Sequence, residues 1–171
     1  MSPAPSILYS IERLGDHDRA SFFCGISELD HYLHFQARQD AKRKVAAPFV
    51  MVDQAHRILG YYTLSAYGIR MAELPPDMAR KLPRYPLIPA TLLGRLAVSR
   101  EQQGQKLGRV LLMDALYRSW KNTADVASVG VVAEAYDEAA RKFYLHHEFI
   151  PLAEQPRKLF IAMGTIQKAF A

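Results

Sequence analysis

The feature that most constrains the fold is residues 94–112, GRLAVSREQQGQKLGRVLL, where an apolar run, a polar turn and an apolar-periodic segment follow one another. Residues 94–98 have the composition of a strand end, and Leu107, Leu111 and Ala115 recur at the spacing of one helix face. The stretch therefore predicts a strand, a loop and a helix. The first N–H groups of a helix have no partner within it, and the helix dipole favours negative charge there. Such a loop suits an anion, and a diphosphate best.

The loop resembles the pyrophosphate loop of the GNAT N-acetyltransferases, Q/R-x-x-G-x-G/A, with Gln103 first and Gly108 last. Lys106 stands where that family has its middle glycine. The resemblance implies acetyl-CoA as the cofactor, with its diphosphate on the loop and its thioester carbonyl at the preceding strand end. The cofactor-binding residues implied here are Leu96, Ala97, Val98, Gln103, Gly104, Gln105, Lys106, Leu107, Gly108 and Arg109. A glycine-capped turn before an ordinary helix is the alternative reading of the same residues.

Length and composition predict one domain spanning residues 1–171. A chain of 171 residues, half of them hydrophobic, is large enough to bury a core. Its single cysteine, Cys24, excludes an intrachain disulfide, and we expect a small buried apolar side chain there rather than a nucleophile. Residues 1–5 lack the pattern of a signal peptide and no apolar run reaches the length of a membrane span, so we expect a cytoplasmic location.

The basic charge is concentrated in one part of the chain. The net charge is +5, but residues 38–118 carry a balance of +8 and the remainder carries −3. This asymmetry suits a polyanionic ligand near the predicted phosphate loop. A solvated basic surface would produce the same asymmetry.

Hydrophobic periodicity predicts the order β, α, β, β, β, α, β, α, β, β. The long first helix is expected from Ser27, as its N-cap, to about Lys44, and the later helix 138–146 is expected to be capped by Asp137. The remaining predicted elements are strands 7–14, 48–52, 58–69, 91–98, 126–135, 149–152 and 159–163, and helices 77–81, 107–120 and 165–170. The order is that of the GNAT fold, an α/β (α+β) fold with a mixed, mostly antiparallel sheet that is splayed open for a thioester cofactor.

A second segment is similar to the same family. Residues 134–137, Glu-Ala-Tyr-Asp, are followed by Ala140, Phe143, Tyr144 and Phe149, as in the GNAT segment where a strand end precedes a helix with a Phe-Tyr pair. The resemblance implies further cofactor contacts at Asp137, Ala140 and Phe143. His147-Glu148 stands where relatives usually have a glycine before the Phe, and Glu148 would be strained if its φ is positive.

Nearly the whole chain resembles one branch, the GNAT toxins of bacterial toxin-antitoxin modules. The resemblance rests on Phe23-Cys24-Gly25, Leu29-Asp30, Tyr32-Leu33, residues 59–65, residues 93–98 and Phe143-Tyr144. Toxins of that branch acetylate the free α-amine of aminoacyl-tRNA and so block translation. The resemblance also implies a ribbon-helix-helix antitoxin as partner, and we expect a homodimer.

Acetyl transfer to an amine needs a neutral amine, a stabilised oxyanion and a proton for the thiolate. An α-amine of pKa about 7.7 to 8.0 is already partly neutral at pH 7, so a strong base is not required. Tyr144 is the predicted catalytic acid, because a phenol stays protonated at neutral pH and can donate to the sulfur. Simple packing on a helix face is the alternative for this residue.

The predicted tRNA contacts are basic side chains from segments that could surround the acceptor side of the cleft: Arg38, Lys42, Arg43, Lys44, Arg80, Lys81, Arg84 and Arg95. His31 and His34 lack further ligands in the sequence, so no metal is expected.

Two other functions remain open at this point. One is a catalytically weak acyl-CoA-binding regulatory module, suggested by Lys106 and Glu148, and the other is acetylation of a small amine or a protein N-terminus.

Overall fold

The structure, a computed structural model, describes residues 8–171 and confirms the predicted order of elements. Residues 1–5, on which the signal-peptide argument rests, lie outside the described residues. The strands are β1 (Tyr9–Arg13), β2 (Ala47–Asp53), β3 (Ile58–Ile69), β4 (Ile88–Val98), β5 (Gly130–Glu134), β6 (Ile150–Leu152) and β7 (Gln155–Ala162). The helices are α1 (Ser27–His31), α2 (Ala37–Arg43), α3 (Pro76–Ala79), α4 (Leu107–Asn122), α5 (Glu138–His146) and α6 (Met163–Phe170).

The seven strands form one mixed sheet in the order β1-β2-β3-β4-β5-β7-β6. The pairs β1–β2, β5–β7 and β6–β7 are antiparallel, whereas β4 and β5 are parallel. The parallel register runs only from Thr91↔Val131 to Leu93↔Ala133, although β4 continues to Val98. A parallel pair needs a long crossover, and α4 lies within the connection from β4 to β5.

The chain divides into two compact units. The first contains the described residues up to Thr63 together with Leu96–Asp114, and the second contains Leu64–Arg95 and Ala115–Ala171. Each unit has an apolar cluster of its own. The first cluster is built from Phe22, Cys24, Leu29, Tyr32, Leu33, Ala37, Val50, Val52, Ile58, Tyr61 and Ala97. The second is built from Ile69, Leu74, Ala90, Val132, Leu152 and Phe160.

Residues 58–63 of β3, which belong to the first unit, are buried on both faces of the strand. The adjacent side chains Tyr61 and Tyr62 point to opposite faces, as strand geometry requires, and both are fully buried. The Tyr61 hydroxyl donates to the carbonyl of Leu29 at 2.7 Å, and the Tyr62 hydroxyl donates to the Asp114 carboxylate at 2.5 Å. Each buried phenol therefore has a polar partner, and the Tyr62 ring also stacks on Phe49 at 5.1 Å.

The start of the long helix differs from the prediction. Ser27 is the first residue of α1 rather than its cap, because the N–H groups of Leu29 and Asp30 donate to the carbonyl of Ile26. Ile26 makes no side-chain capping bond. The buried Asp30 carboxylate instead reaches back and accepts from the N–H of Cys24 at 2.8 Å. An acidic side chain in the first turn therefore satisfies the preceding backbone, as in a capping box.

The same helix is not a continuous α-helix to Lys44. A π-helix spans Tyr32–Gln36 between α1 and α2. The guanidinium of Arg19 donates to the carbonyl of His34 at 3.0 Å and lies 3.5 Å from that of Leu33. π-Turns interrupt the regular hydrogen-bond pattern of a helix, and this side chain satisfies carbonyls within the interruption.

The strand predicted over residues 126–135 begins only at Gly130. The N–H of Val126 donates to the carbonyl of Asn122 at 2.9 Å, which continues the end of α4 as a turn. A local hydrogen bond thus removes the first predicted residues from the sheet.

None of the described helices is long and apolar enough to cross a membrane.

Candidate active site

The predicted phosphate loop connects a short 3₁₀ turn, Arg100–Gln102, to α4. Gly104 has a φ of 88° and Lys106 a φ of 62°, so two positions of this loop are left-handed. A Cβ added at Gly104 would meet nothing within 4 Å, which leaves open space beside the backbone. Lys106, the departure from the family pattern, thus occupies a conformation that favours glycine.

The loop presents a row of unpaired backbone donors. Within the described residues, no backbone carbonyl or side chain accepts a hydrogen bond from these N–H groups, which belong to Gly104, Gln105, Lys106, Leu107, Gly108 and Arg109. The positive end of the α4 dipole lies at the same place. Free N–H groups at a helix N-terminus suit the oxygens of a diphosphate.

Gln103, the first residue of the loop, makes its hydrogen bonds through its side chain. The side-chain amide of Gln103 donates to the carbonyl of Cys24 at 3.0 Å and to the carbonyl of Val98 at 3.1 Å. Leu96 and Val98 are half-buried at the end of β4, and Ala97 is buried. The strand end and the loop that resemble a GNAT cofactor site therefore lie together in the first unit.

Tyr144, the predicted acid, lies in the second unit on α5 and is 3% exposed. Its ring contacts those of Phe143 and Phe149, with centroids 5.3 and 5.2 Å away. Burial raises the pKa of Tyr144 above its ordinary value. No described residue accepts a hydrogen bond from its hydroxyl. A neutral phenol whose proton is not engaged by the described protein atoms can act as a donor to a ligand.

The helix that carries Tyr144 begins where the sequence predicted. Asp137 is the N-cap of α5, and its carboxylate accepts from the N–H of Ala140 at 2.8 Å. Arg141 connects the helix to the start of β7 by donating to the carbonyl of Pro156 at 2.9 Å. Asp137 is exposed, and Ala140 and Phe143 are half-buried. Asp137, Ala140, Phe143 and Tyr144 thus belong to one short helix and its cap.

Four predicted tRNA-contacting cations lie in the first unit, Arg38 in the first turn of α2 and the other three at the end of that helix. Lys42, Arg43 and Lys44 are exposed, and the described residues place no carboxylate within 4 Å of them. Arg38 is also exposed, 3.9 Å from the carboxylate of Asp16. Cations at a helix C-terminus stabilise the helix dipole as well as being available to a polyanion.

The other four lie in the second unit. Arg80, Lys81 and Arg84 are exposed in the segment between α3 and β4, and Arg80 pairs with Asp77. Arg95 is half-buried on β4. The predicted tRNA contacts are therefore divided equally between the two units.

Cys24 fits the expectation of a buried, unreactive thiol. It is 5% exposed, and burial raises the pKa of its thiol to about 11. Since the thiolate is the nucleophilic form, this side chain stays protonated at neutral pH.

A histidine cluster in the first unit was not foreseen. Side-chain ligand atoms of Glu12, His17 and His56 lie within 4.8 Å of one another. Both nitrogens of His17 already have partners, because the N–H of Gly15 donates to Nδ1 at 3.0 Å and Nε2 lies 2.8 Å from Glu12. This pattern fixes the tautomer with the proton on Nε2, which donates to the carboxylate. His34 bonds a backbone carbonyl through Nε2 at 2.7 Å.

Comparison with known proteins decides the family. No family model matches the chain. A tRNA-acetylating toxin of Mycobacterium tuberculosis is 32% identical over 152 residues, which cover 88% of this chain and 90% of the relative. The chain belongs to the family of tRNA-acetylating toxins.

Solved structures of this toxin family share the fold. The structure of AtaT complexed with acetyl-methionyl-tRNAfMet has a TM-score of 0.88 and 32% identity, and covers 95% of this chain and 99% of that one. A tyrosine-to-phenylalanine variant of AtaT, bound to the C-terminus of the antitoxin AtaR and to acetyl-CoA, has a TM-score of 0.83 and 29% identity, over 95% and 98%. The GNAT fold expected from the sequence is confirmed.

Two residues of this toxin that support the phosphate loop were not predicted as site residues. The backbone N–H of Arg100 donates to the carbonyl of Phe23 at 2.8 Å, and the carboxylate of Asp30 accepts a hydrogen bond from the N–H of Cys24. The glycine at position 25 was the signal in the sequence. In the structure its φ is 96°, a left-handed conformation beside Cys24. A Cβ there would collide with the Arg100 guanidinium.

Proposed function

We propose that this chain transfers the acetyl group of acetyl-CoA to the free α-amine of aminoacyl-tRNA and thereby blocks translation as a toxin. The observation that carries the proposal is the row of unpaired N–H groups over residues 104–109, at the start of α4, in a member of the tRNA-acetylating toxin family. The AtaT structures with acetyl-methionyl-tRNAfMet and with acetyl-CoA support it, because the first ligand is an acetylated product and the second an acetyl donor.

The residues present fit acetyl-CoA. Its diphosphate would be bound by the N–H groups of the loop, where the open space beside Gly104 admits close approach of phosphate oxygens. The pantetheine and thioester would follow the end of β4 at Leu96, Ala97 and Val98, and Asp137, Ala140 and Phe143 would border the cofactor from α5. When bound, acetyl-CoA supplies an activated acetyl group as a thioester.

Tyr144 is the proposed catalytic acid. The neutral α-amine attacks the carbonyl carbon, a C–N bond forms and the C–S bond breaks. Negative charge develops first on the carbonyl oxygen, which backbone N–H groups at the end of β4 would stabilise. It then develops on the departing sulfur, which takes the hydroxyl proton of Tyr144. The amine gives its extra proton to water, and solvent reprotonates Tyr144.

The two departures from the family pattern do not favour a weakly active binding module. Lys106 and Glu148 have φ values of 62° and 70°, so both replace glycine without abandoning the left-handed conformation. The phosphate loop at Lys106 and the end of α5 at Glu148 thus keep the backbone conformation that a glycine would have, at a cost of roughly 1 kcal/mol or more of strain at each position. We regard both residues as compatible with catalysis.

The partners follow from the same proposal. Arg38, Lys42, Arg43 and Lys44 in the first unit, and Arg80, Lys81, Arg84 and Arg95 in the second, would contact the tRNA acceptor end. A ribbon-helix-helix antitoxin with an acidic or apolar tail would cover part of this basic surface, as charge complementarity favours. We further propose that residues 1–171 act as a single acetyltransferase domain and form a homodimer.

The direct test is acetylation with labelled acetyl-CoA and three acceptors in parallel: aminoacylated tRNA, deacylated tRNA and free amino acids. The proposal predicts label only in aminoacylated tRNA, released by mild alkali as an N-acetyl amino acid. Equal labelling of free amino acids would favour the small-amine alternative. Binding of acetyl-CoA with no labelled product would favour the regulatory module.

A further inference from the structure

We infer that Gln103 is a positioning residue for the cofactor, which fixes the diphosphate loop to the segment 22–26 instead of contacting the phosphates itself. The inference rests on the proposed binding of acetyl-CoA to the loop 103–108. It explains a sequence feature that catalysis leaves unused, the Phe23-Cys24-Gly25 segment, which lies 79 residues before the loop in the chain.

The hydrogen bonds of Gln103 leave its side chain no free donor. An amide side chain has two N–H donors, and those of Gln103 face the carbonyls of Cys24 at 3.0 Å and Val98 at 3.1 Å. Val98 is the last residue of β4. One side chain therefore joins the strand end, the segment 22–26 and the start of the loop. Its remaining oxygen is an acceptor and would not bind a phosphate oxygen, which is an acceptor too.

The segment that receives Gln103 is itself held in place. The N–H of Cys24 donates to the buried Asp30 carboxylate on α1 at 2.8 Å. The hydroxyl of Tyr61 on β3 donates to the carbonyl of Leu29 at 2.7 Å, which holds α1. The anchor of the loop is thus a chain of hydrogen bonds from the sheet, through α1, to Cys24 and Gln103.

A second residue, Arg100, also connects the turn 98–103 to the segment 22–26. The N–H of Arg100 donates to the carbonyl of Phe23 at 2.8 Å, and its guanidinium lies 5.5 Å from the Phe23 ring. That guanidinium also covers Gly25, whose φ of 96° disfavours any residue with a side chain. The turn 98–103 is therefore held at two points to the same segment, and the phosphate loop that follows it begins from a fixed position.

Gln103→Leu tests the inference because it removes both donors and keeps a side chain of similar length. We expect the Kd and KM for acetyl-CoA to rise about tenfold, equivalent to about 1.4 kcal/mol, with kcat within about twofold of the parent. Gln103→Arg restores N–H donors and should recover the parent Kd at elevated salt, where added charge is screened. Gln54→Leu, an exposed Gln in the β2–β3 turn, is the matched control and should bind like the parent.

Amide exchange at Arg100 distinguishes positioning from direct contact. Its N–H is bonded to Phe23, so exchange should accelerate in Gln103→Leu and recover in Gln103→Arg, without acetyl-CoA present. The N–H of Ala135, bonded to Arg157 at 2.7 Å, should not change. Weaker binding with unchanged Arg100 exchange would mean that Gln103 contacts the cofactor directly, and parent-like binding by Gln103→Leu would also overturn the inference. If the parent binds no acetyl-CoA, the proposed function fails and this inference fails with it.

Discussion

The backbone carbonyl of Tyr144 accepts a hydrogen bond of 3.2 Å from the N–H of Phe149, and the two rings lie 5.2 Å apart. Between them, Glu148 has a φ of 70° and donates its N–H to the carbonyl of Leu145 at 3.3 Å. This is the Schellman arrangement, in which a left-handed residue ends a helix and an apolar residue folds back onto its last turn. The end of α5 thus fixes the proposed catalytic tyrosine through its backbone and its ring.

Glu148→Gly should stabilise the protein by about 1 kcal/mol or less, because glycine relieves the left-handed strain but costs more entropy on folding. Urea denaturation should show a higher midpoint with an unchanged slope. Glu148→Ala removes the charge and keeps the Cβ, so it should not gain this stability. A glycine variant less stable than the parent would contradict the conformational explanation.

Lys106→Gln should weaken acetyl-CoA binding about two- to fivefold at low salt, because an exposed cation beside the diphosphate is lost. The difference should disappear at high salt, where the charge is screened. Lys168→Gln, which removes an exposed cation from α6, is the control and should have no effect. Calorimetric titration at two salt concentrations measures the change, and a salt-independent loss would point to a specific contact instead.

The sequence predicted elements best where local signals agreed with tertiary structure. The bounds of β3 and α5 were as predicted, because β3 is a long β-prone run and Asp137, the residue before α5, caps that helix. The π-helix had no local signal, since Arg19 stabilises it from outside the helix. The hydrogen bond from Gln103 to Cys24 likewise had no local signal, because the two residues lie far apart in the chain. The expectation that Gln103 contacts the cofactor stays a prediction.

The pH dependence of transfer should have a rising limb and no early fall. The acceptor α-amine loses its proton at about pH 7.7 to 8.0, so the rate rises through that range. Burial raises the pKa of Tyr144 above the ordinary pKa of a tyrosine, which is about 10. The phenol therefore remains protonated throughout the range in which the rate is measured. Initial rates from pH 6 to 9.5 should rise and then level off. A decline between pH 8 and 9.5 would indicate a different acid.

Charge reversal at Lys42, Arg43 and Lys44, or at Arg80, Lys81 and Arg84, should weaken acetylation of aminoacyl-tRNA. Phosphate contacts make affinity for nucleic acid fall with salt, so the parent reaction should also be strongly salt-dependent. We expect at least one of the two sets to weaken antitoxin binding as well, because both partners would use the basic surface. Acetylation that is insensitive to salt and to both sets would reject this tRNA surface.

We propose that Tyr144 donates the proton in acetyl transfer to aminoacyl-tRNA. Tyr144→Phe removes one hydroxyl and little volume from a buried site that is packed against Phe143 and Phe149. The decisive measurement is the single-turnover rate of label transfer from acetyl-CoA to aminoacyl-tRNA, with acetyl-CoA affinity and thermal stability measured on the same samples. We expect a rate about 100- to 10,000-fold lower than that of the parent, with acetyl-CoA affinity and thermal stability retained. A phenylalanine variant that transfers acetyl at the parent rate would show that Tyr144 only packs.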